Sequence, residues 1–357
     1  QTDHPLPVAL AARPHRAGHQ RLGVGHPGGG PGAALALHPP QHRLDRLLHR
    51  PGGREAIARV LDQWEERGEG IAVVVGRGGL LKPVEGGVYR VTERMLEDAR
   101  RGVQGEHPSN LGCALAWEFA ARWGALAVVV DPVSVDEFEP LARYSGHPLI
   151  ERRSLSHALS LHAAARVMAA RLGKPLSETR LVIAHLGGGI SVAAVRGGRI
   201  VDVNDASSDG PFSPERTGGL PLQPFITLCF SGQFTESEMR RLVMGRGGLV
   251  AYLGTNEATE VERRIAEGDA YAREVYEAMA YQIAKEIGAM ATVLHGRVDA
   301  IVMTGSLARS ALLTDWIRER VAFIAEVVVL PEDWEMRAMA EGARRALTGE
   351  EPLKEYA

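Results

Sequence analysis

Cysteine, long apolar runs and an excess of either charge are scarce in this sequence, and each scarcity argues against a class of protein. The 357 residues include only two cysteines, Cys113 and Cys229, which lack the spacing of a disulfide framework or a zinc site. No run approaches the roughly 20 apolar residues of a membrane span, and no targeting segment is evident, so a cytoplasmic location is expected. The 41 Lys and Arg against 44 Asp and Glu give a net charge of -3. We therefore expect neither a nucleic acid nor a membrane as partner.

The remaining composition is that of a globular protein with more than one domain. Hydrophobic residues make up 45% of the chain and charged residues 24%, values close to those of ordinary folded proteins. The length exceeds that of a typical single domain, so two domains are expected.

Residues 1–53 do not match the rest of the chain. The first 54 residues hold 7 of the 13 histidines and 8 of the 20 prolines, yet contain no Glu, Lys, Ile, Phe, Tyr, Trp, Met, Asn or Ser. Neither strand nor helix periodicity is sustained there, so no strand or helix is predicted. Three interpretations remain open: a disordered tail, a histidine-rich metal-binding tract, or a gene translated in the wrong frame over its first part.

The first ordinary domain is predicted over 54–178. Helices are expected at 55–68, 91–102, 109–124 and 151–173, the third with Ser109 or Asn110 as its N-cap. Strands are expected at 71–76 and 125–132. The second strand is a continuous apolar run that ends at Asp131, the end of a strand where α/β sheets place ligands, although an aspartate there can also simply cap a turn.

The second domain is predicted over 179–331 and opens with three strands in 181–203. The turn Gly187, Gly188 and Gly189 between the first two strands would let backbone N–H groups approach an anion, with the Ser191 hydroxyl beside it; a plain hairpin turn is the alternative. The long loop 203–225 presents Arg216 as a candidate anion ligand or as a surface ion pair.

Alternating helices and strands complete the second half. Helices are predicted at 223–231, 235–245 and 269–294, and strands at 298–304 and 327–331. Gly305 and Ser306 follow the first of these strands. A final helix at 332–351 is expected to complete the first domain.

Four segments resemble the butyrate kinases of the acetokinase family. They are GRGGLLKPVEGGVYRV, DPVSVDEFEPLARYSGHPLIERRSLSHAL, HLGGGISVAAVRGGRIVDVNDASSDGPFSPERTGG and EMRAMAEGARRAL. The resemblance runs from about residue 54 to 356 and implies an α/β fold: the duplicated, ribonuclease H-like βββαβαβα fold of two domains, shared by acetate and sugar kinases, Hsp70 and actin (the ASKHA superfamily). Residues 1–53 do not fit this pattern, since they lack the opening strand and first phosphate loop of the family.

The resemblance implies roles for individual residues. His185 and the turn 187–189 resemble the second phosphate loop, and Arg216 resembles the active-site arginine of the acetate kinases. Asp131 resembles an aspartate that orients substrate or Mg²⁺, and Arg77 resembles the arginine that binds the substrate carboxylate.

The nucleotide site is implied in the same way. Gly305 and Ser306 resemble the adenosine loop, with Ser191 as a further cofactor-binding residue. Acetate kinases carry a metal-binding glutamate after that loop, where this chain has Leu307, Ala308 and Arg309, so no metal ligand is assigned.

The implied reaction transfers a phosphoryl group between ATP and butyrate, giving butyryl phosphate and ADP, with Mg²⁺. The implied partners are a short-chain carboxylate or acyl phosphate, a nucleotide, and further copies of the chain in a dimer or larger assembly. Two alternatives stay open: a kinase for branched-chain or other short-chain carboxylates, and a nucleotide-binding product whose catalysis is impaired because the first phosphate loop is missing.

Overall fold

The computed structural model describes residues 8–12, 62, 70–105, 107–331 and 335–357. Contacts divide the chain into two compact units. The first contains the described residues up to Leu81, together with Val88–Val130 and Ala340–Ala357; the second contains Lys82–Gly87 and the described residues of Asp131–Met339. The domain limits expected from the sequence stay a prediction, because a compact unit of contacts need not be a unit of folding.

The first unit contains a five-stranded sheet in the order β1-β2-β4-β3-β10. Its strands are β1 Val8–Ala12, β2 Ile71–Gly76, β3 Val88–Arg90, β4 Leu126–Val130 and β10 Leu353–Lys354. The predicted strands β2 and β4 are confirmed, and they lie parallel to each other with Gly76 opposite Val129. Strand β10 adds the C-terminal end of the chain to this sheet, beside β3.

The prediction that residues 1–53 contain no strand is wrong for β1. This strand pairs with β2 in the antiparallel direction, from Val8 opposite Gly76 to Ala12 opposite Ile71. Its sequence VALAA has no polar alternation and three alanines, a residue with only a weak preference for strands, so pairing with β2 rather than local preference defines it. The rest of residues 1–53, and with it the choice among the three interpretations, lies outside the described residues.

Two predicted helices of the first unit are confirmed, as α1 Glu93–Arg101 and α2 Leu111–Trp123. Thr92 caps α1 by accepting a hydrogen bond from the Met95 N–H. Asn110, one of the two predicted N-cap residues, is the N-cap of α2, but its side chain makes no capping hydrogen bond. Its side chain instead accepts from the Leu80 N–H at 2.8 Å and donates to the Ala99 carbonyl, so one buried amide joins the loop after β2 to α1.

The second unit contains a five-stranded sheet in the order β7-β6-β5-β8-β9. Its strands are β5 Arg180–Leu186, β6 Ile190–Arg196, β7 Arg199–Val203, β8 Ala300–Thr304 and β9 Val327–Leu330. The predicted β5-β6-β7 meander is confirmed: β6 is antiparallel to both neighbours, while β8 and β9 extend the sheet in parallel with β5.

Both faces of this sheet are buried. In β5, Val182 and Ala184 face one apolar cluster together with residues of a long helix, while Leu181 and Ile183 face another. Successive side chains of a strand point to opposite faces, so an unbroken apolar run is what a sheet covered on both sides requires.

Seven helices accompany this sheet in the described part of the second unit, and an eighth, α10, continues into the first. They are α3 Ala158–Leu172, α4 Leu222–Cys229, α5 Glu236–Val243, α6 Gly248–Leu253, α7 Ala258–Ala266, α8 Ala270–Val293, α9 Ala311–Val321 and α10 Glu335–Thr348. The predicted helices at 223–231, 235–245 and 269–294 are confirmed, and Asp269 caps α8 by accepting from the Ala272 N–H. Helices α6 and α7 were not predicted.

The predicted helix at 151–173 begins seven residues late, at Ala158. The residues before it lie in an extended segment: the Ser154 hydroxyl donates to the Val135 carbonyl, and the Ser156 N–H donates to the Val133 carbonyl. Helix periodicity extends across 151–157, but these tertiary hydrogen bonds override it.

The helix predicted at 55–68 lies outside the described residues except for Asp62, and the first residues of the helix predicted at 332–351 lie outside them too. No helix among the residues that the structure describes has the length and apolar character needed to cross a membrane.

Candidate functional site

Two loops meet at one edge of the second sheet. Strands β5 and β8 are parallel and end side by side, with His185 opposite Thr304. The turn 187–189 follows β5, and Gly305 follows β8. Ligands of open α/β sheets bind beyond the carboxyl ends of strands, so this edge is the natural place for a site.

The glycine turn is held from both sides. The Gly187 N–H donates to the Gly189 carbonyl at 3.2 Å, and the Ser213 hydroxyl donates to the Gly188 carbonyl at 2.7 Å. A Cβ on Gly189 would lie 2.4 Å from Nη1 of Arg216. Glycine at this position is therefore required for a guanidinium to lie against the backbone.

Arg216 lies in the loop between β7 and α4, and its guanidinium packs on the glycine turn. Its Nη1 donates to the Ala206 carbonyl at 2.6 Å, which fixes one edge of the fork. Burial lowers the pKa of this arginine from its usual value, while Glu215 and Asp205 act in the opposite direction. The result is a partly desolvated cation beside backbone amides, the arrangement that favours an oxyanion.

A pair of histidines lies behind the turn. The rings of His185, at the end of β5, and His157, just before α3, stack with centroids 4.1 Å apart. His157 Nδ1 lies 2.8 Å from the hydroxyl of Ser191, which is fully buried. Ser191 thus orients His157 and does not point its hydroxyl to the surface.

The loop after β8 is shaped by the backbone of β5. Gly305 has φ 92°, a conformation that side chains rarely adopt, and a Cβ there would lie 2.4 Å from the Leu186 carbonyl oxygen. Ser306 follows as an exposed residue at the start of the 3₁₀ turn Ser306–Arg309. The residues predicted for nucleotide binding are thus brought to one edge.

The described contacts of the Asp131 carboxylate are with Gly87, His162 and Arg166, and not with the glycine turn. Its carboxylate is 2% exposed; Oδ1 accepts from the Gly87 N–H at 2.7 Å and lies 2.9 Å from Nδ1 of His162, and Oδ2 lies 3.8 Å from Arg166. Burial would raise the pKa of Asp131, but His162 and Arg166 outweigh burial and hold it below its usual value. The carboxylate is ionised and surrounded by protein.

Arg77 belongs to the first unit. It follows β2, half-buried, and its N–H lies close to Gly112 of α2, where a Cβ would come within 2.8 Å of it. The glycines around Arg77 thus serve the packing of a helix against a strand end.

Several residues of these clusters were not predicted from the sequence. Ser213 binds the glycine turn and His157 binds Ser191. The ion pair of Arg153 with Asp205, at 3.1 Å, includes a carboxylate that acts on Arg216. His162 and Glu137 form the surroundings of Asp131. The two histidines lie in an alanine- and leucine-rich helical stretch, and a polar ring in such a stretch was the available indication.

Among the residues that the structure describes, no group of three or more His, Cys, Asp or Glu side chains is arranged to hold a metal ion. Cys113 and Cys229 are both free thiols.

Comparisons with known proteins agree with this arrangement. The model of the acetokinase family matches residues 142–353. A probable butyrate kinase of Listeria innocua is 50% identical over 303 residues, and butyrate kinase 2 of Clostridium acetobutylicum is 47% identical over 304; each alignment covers 85% of both chains.

Solved structures show the same fold. The acetate kinase of Porphyromonas gingivalis superposes with a TM-score of 0.65 at 20% identity, covering 76% of each chain. A propionate kinase of Francisella tularensis gives 0.67 at 17% identity, covering 81% of this chain and 83% of its own. The two-sheet α/β architecture expected from the sequence is therefore confirmed. From the extent of the family match and the identity to its members, this chain belongs to the acetokinase family.

Proposed function

We propose that this chain transfers the γ-phosphoryl group of MgATP to a short-chain carboxylate, with butyrate as the expected substrate, and catalyses the reverse reaction. The observation that carries the proposal is the guanidinium of Arg216 against the turn 187–189. The relatives named as butyrate kinases support the choice of substrate.

The chemistry needs charge compensation more than it needs a base. A carboxylate is ionised at neutral pH and is already a nucleophile, so its oxygen attacks the γ-phosphorus while the bond to the ADP oxygen breaks. The obstacle is repulsion between two anions. The Arg216 guanidinium and the N–H groups of the turn 187–189 supply positive charge and dipoles where the phosphoryl group passes.

We assign His185 to contact with the transferring phosphoryl group. His157 is assigned to holding the ring of His185 in position. The 4.1 Å stack fixes the plane of the His185 ring, and the contact between His157 and Ser191 fixes the other ring. Gly305 and Ser306 are assigned to the nucleotide, because their loop lies beside the glycine turn at the ends of β5 and β8.

In this proposal Mg²⁺ is part of the substrate MgATP. It is held mainly by phosphate oxygens and water, as Mg²⁺ in kinases usually is. Arg77 remains the proposed ligand of the substrate carboxylate. Asp131 is proposed to orient the site through its buried contacts.

Two further expectations belong to the same proposal. A cytoplasmic location suits an enzyme that uses ATP and a labile acyl phosphate. Self-association is supported by α4, in which Leu222 is 71% exposed and Ile226 49%, followed by Phe230 at 87%. Apolar side chains clustered in this way are typical of interaction surfaces.

The test is an assay of acyl phosphate formation. The purified chain is incubated with MgATP and each of butyrate, isobutyrate, propionate and acetate, and acyl phosphate is trapped with hydroxylamine as the hydroxamate. We expect the highest kcat/KM with butyrate. A preference for isobutyrate would support the branched-chain alternative, and ADP release independent of any carboxylate would contradict the proposal. Binding of nucleotide without hydroxamate would indicate the impaired product.

A further inference from the structure

His162 lies in α3 with its ring between two carboxylates. Nδ1 is 2.9 Å from Oδ1 of Asp131, and Nε2 is 3.2 Å from Oε2 of Glu137. All three residues are buried, with exposed fractions of 4%, 2% and 8% respectively.

A carboxylate close to each ring nitrogen favours the protonated ring. A neutral imidazole carries one N–H, so its second nitrogen would direct a lone pair at a carboxylate. An imidazolium offers a proton to each side. With Arg166 at 3.8 Å from Oδ2 of Asp131, the cluster has two positive and two negative groups, and such a balance is what buried charges need.

The two carboxylates also hold a segment of backbone. Oε1 of Glu137 accepts from the Gly86 N–H at 3.1 Å, and Oδ1 of Asp131 accepts from the Gly87 N–H at 2.7 Å. Oε2 of Glu137 accepts from the Ile200 N–H in β7 at 2.7 Å. His162 therefore lies at the centre of contacts that join α3 to the segment Lys82–Gly87, to β7 and to the residues that follow β4.

Two backbone features show that this packing is specific. A Cβ on Gly86 would lie 2.4 Å from Cε1 of His162, so the ring occupies space that any other residue would fill. Asp131 has φ 41° although it is not a glycine and precedes a proline, a combination that costs free energy. The neighbouring contacts must maintain it.

We propose that His162 is a positioning residue, which as an imidazolium between Asp131 and Glu137 holds Asp131 and the segment Lys82–Gly87 in the conformation that phosphoryl transfer requires. The kinetic part of this inference rests on the proposed function. The structural part, the hold on the segment, does not.

Two ion pairs involve residues adjacent in sequence to the cluster. Arg143 binds Asp136 at 2.7 Å, and Arg199 lies 3.6 Å from Glu85. Arg166 is the one further cation that the described contacts place on Asp131, so substitution of His162 leaves one positive charge for two buried carboxylates.

The experiment compares His162→Gln with His295→Gln, an exposed histidine beyond α8. Glutamine retains hydrogen bonding but loses the positive charge. Two readouts are taken: hydrogen exchange of peptides that cover 82–87, and kcat and KM with butyrate and MgATP.

We expect exchange at 82–87 to become about 10-fold faster or more in His162→Gln. We expect kcat to fall by about 100-fold, the cost of a misplaced catalytic group, while the KM for MgATP is unchanged. His295→Gln should match the wild type in both. Unchanged exchange at 82–87 together with unchanged kcat would overturn the inference.

The two proposals can fail separately. If the wild type makes no acyl phosphate, the proposed function fails, and hydrogen exchange still decides whether His162 holds the segment. If His162→Gln does not fold, the nitrogen-15 spectrum of the wild-type histidines decides: one ring that remains an imidazolium near pH 8 supports the inference, and its absence overturns it.

Discussion

Arg216 is a half-buried cation whose position is fixed by its neighbours. Its guanidinium is partly desolvated, bound to the Ala206 carbonyl and packed on the glycine turn. Its remaining N–H donors are therefore held in a fixed orientation. Lysine keeps the charge but loses the planar fork.

For Arg216→Lys we expect kcat with butyrate to fall by about 100-fold, as when one donor to a transition-state oxyanion is removed. The matched control is Arg240→Lys, since Arg240 lies on the exposed face of α5 and pairs only with Glu236 among its described contacts. Steady-state kinetics of both variants provide the measurement. Equal kcat in Arg216→Lys and the wild type would remove Arg216 from the proposed site.

The raised pKa of His162 implies that the stability of the protein depends on pH. Burial would lower the pKa of His162, but the charges of Asp131 and Glu137 outweigh burial and raise it to about 9, against 6.5 in the unfolded chain. The folded state thus binds a proton that the unfolded state releases, and this contribution to stability is complete below pH 6.5 and declines as pH rises through 9.

We expect the free energy of unfolding, and with it the melting temperature, to fall between pH 7 and pH 9.5. This group contributes a slope in the free energy of unfolding of up to about 1.4 kcal/mol per pH unit. Calorimetry across that range measures it, and His162→Gln should show a shallower slope than His295→Gln. Parallel slopes in the two variants would contradict the assignment of charge.

At the scale of elements, replacing glycine by alanine is expected to have different effects at two positions. Gly189 lies where a Cβ would meet Arg216, whereas Gly288, inside α8, has nothing within 4 Å of an added Cβ. The first substitution displaces a functional group, and the second only restricts the unfolded chain.

We expect Gly189→Ala to lower kcat/KM by about 10-fold or more, because the guanidinium must move. We expect Gly288→Ala to raise the free energy of unfolding by about 0.5–1 kcal/mol and to leave the kinetics unchanged. Urea unfolding and the hydroxamate assay on both variants test the contrast. It fails if Gly189→Ala retains the full rate.

Elements with strong local patterns were predictable, and those defined by distant partners were not. The apolar runs of β4 and β5 and the capped helix α8 follow from sequence alone. The late start of α3 and the strand β1 depend on hydrogen bonds to residues elsewhere in the chain. The turn 187–189 was visible as glycines, while its contact with Arg216 required the fold.

At the scale of the whole molecule, the surface of α4 bears on assembly. Phe230 is 87% exposed at the end of this helix, and Phe323, beyond α9, is 86% exposed. The two phenylalanines differ in their neighbours: Leu222 and Ile226 precede Phe230 on an exposed helix.

We expect Phe230→Asp to reduce the molar mass in solution, because a charge in an apolar interface is strongly unfavourable. Phe323→Asp, with equal exposure, should leave the mass unchanged. Light scattering after size-exclusion chromatography measures both. A wild type that is already a monomer would contradict self-association, and an unchanged mass in Phe230→Asp would place the interface elsewhere.

The membership of the family and the α/β architecture were predictable because motifs are local and ordered along the chain. The surroundings of Asp131 were not, since His162 and Glu137 reach it only after α3 packs on the sheet. A histidine in an apolar helical stretch indicates that its ring has a polar partner, but the sequence does not say which residue that partner is.

The contact of Gly305 with Leu186 joins the loops after β5 and β8 through one carbonyl group. We expect a ligand that shifts one of these loops to press on the other, and binding at the two loops to be thermodynamically linked for that reason. Linkage is reciprocal: whatever factor an occupant of the turn 187–189 imposes on affinity at Gly305 and Ser306 returns with the same size in the opposite direction.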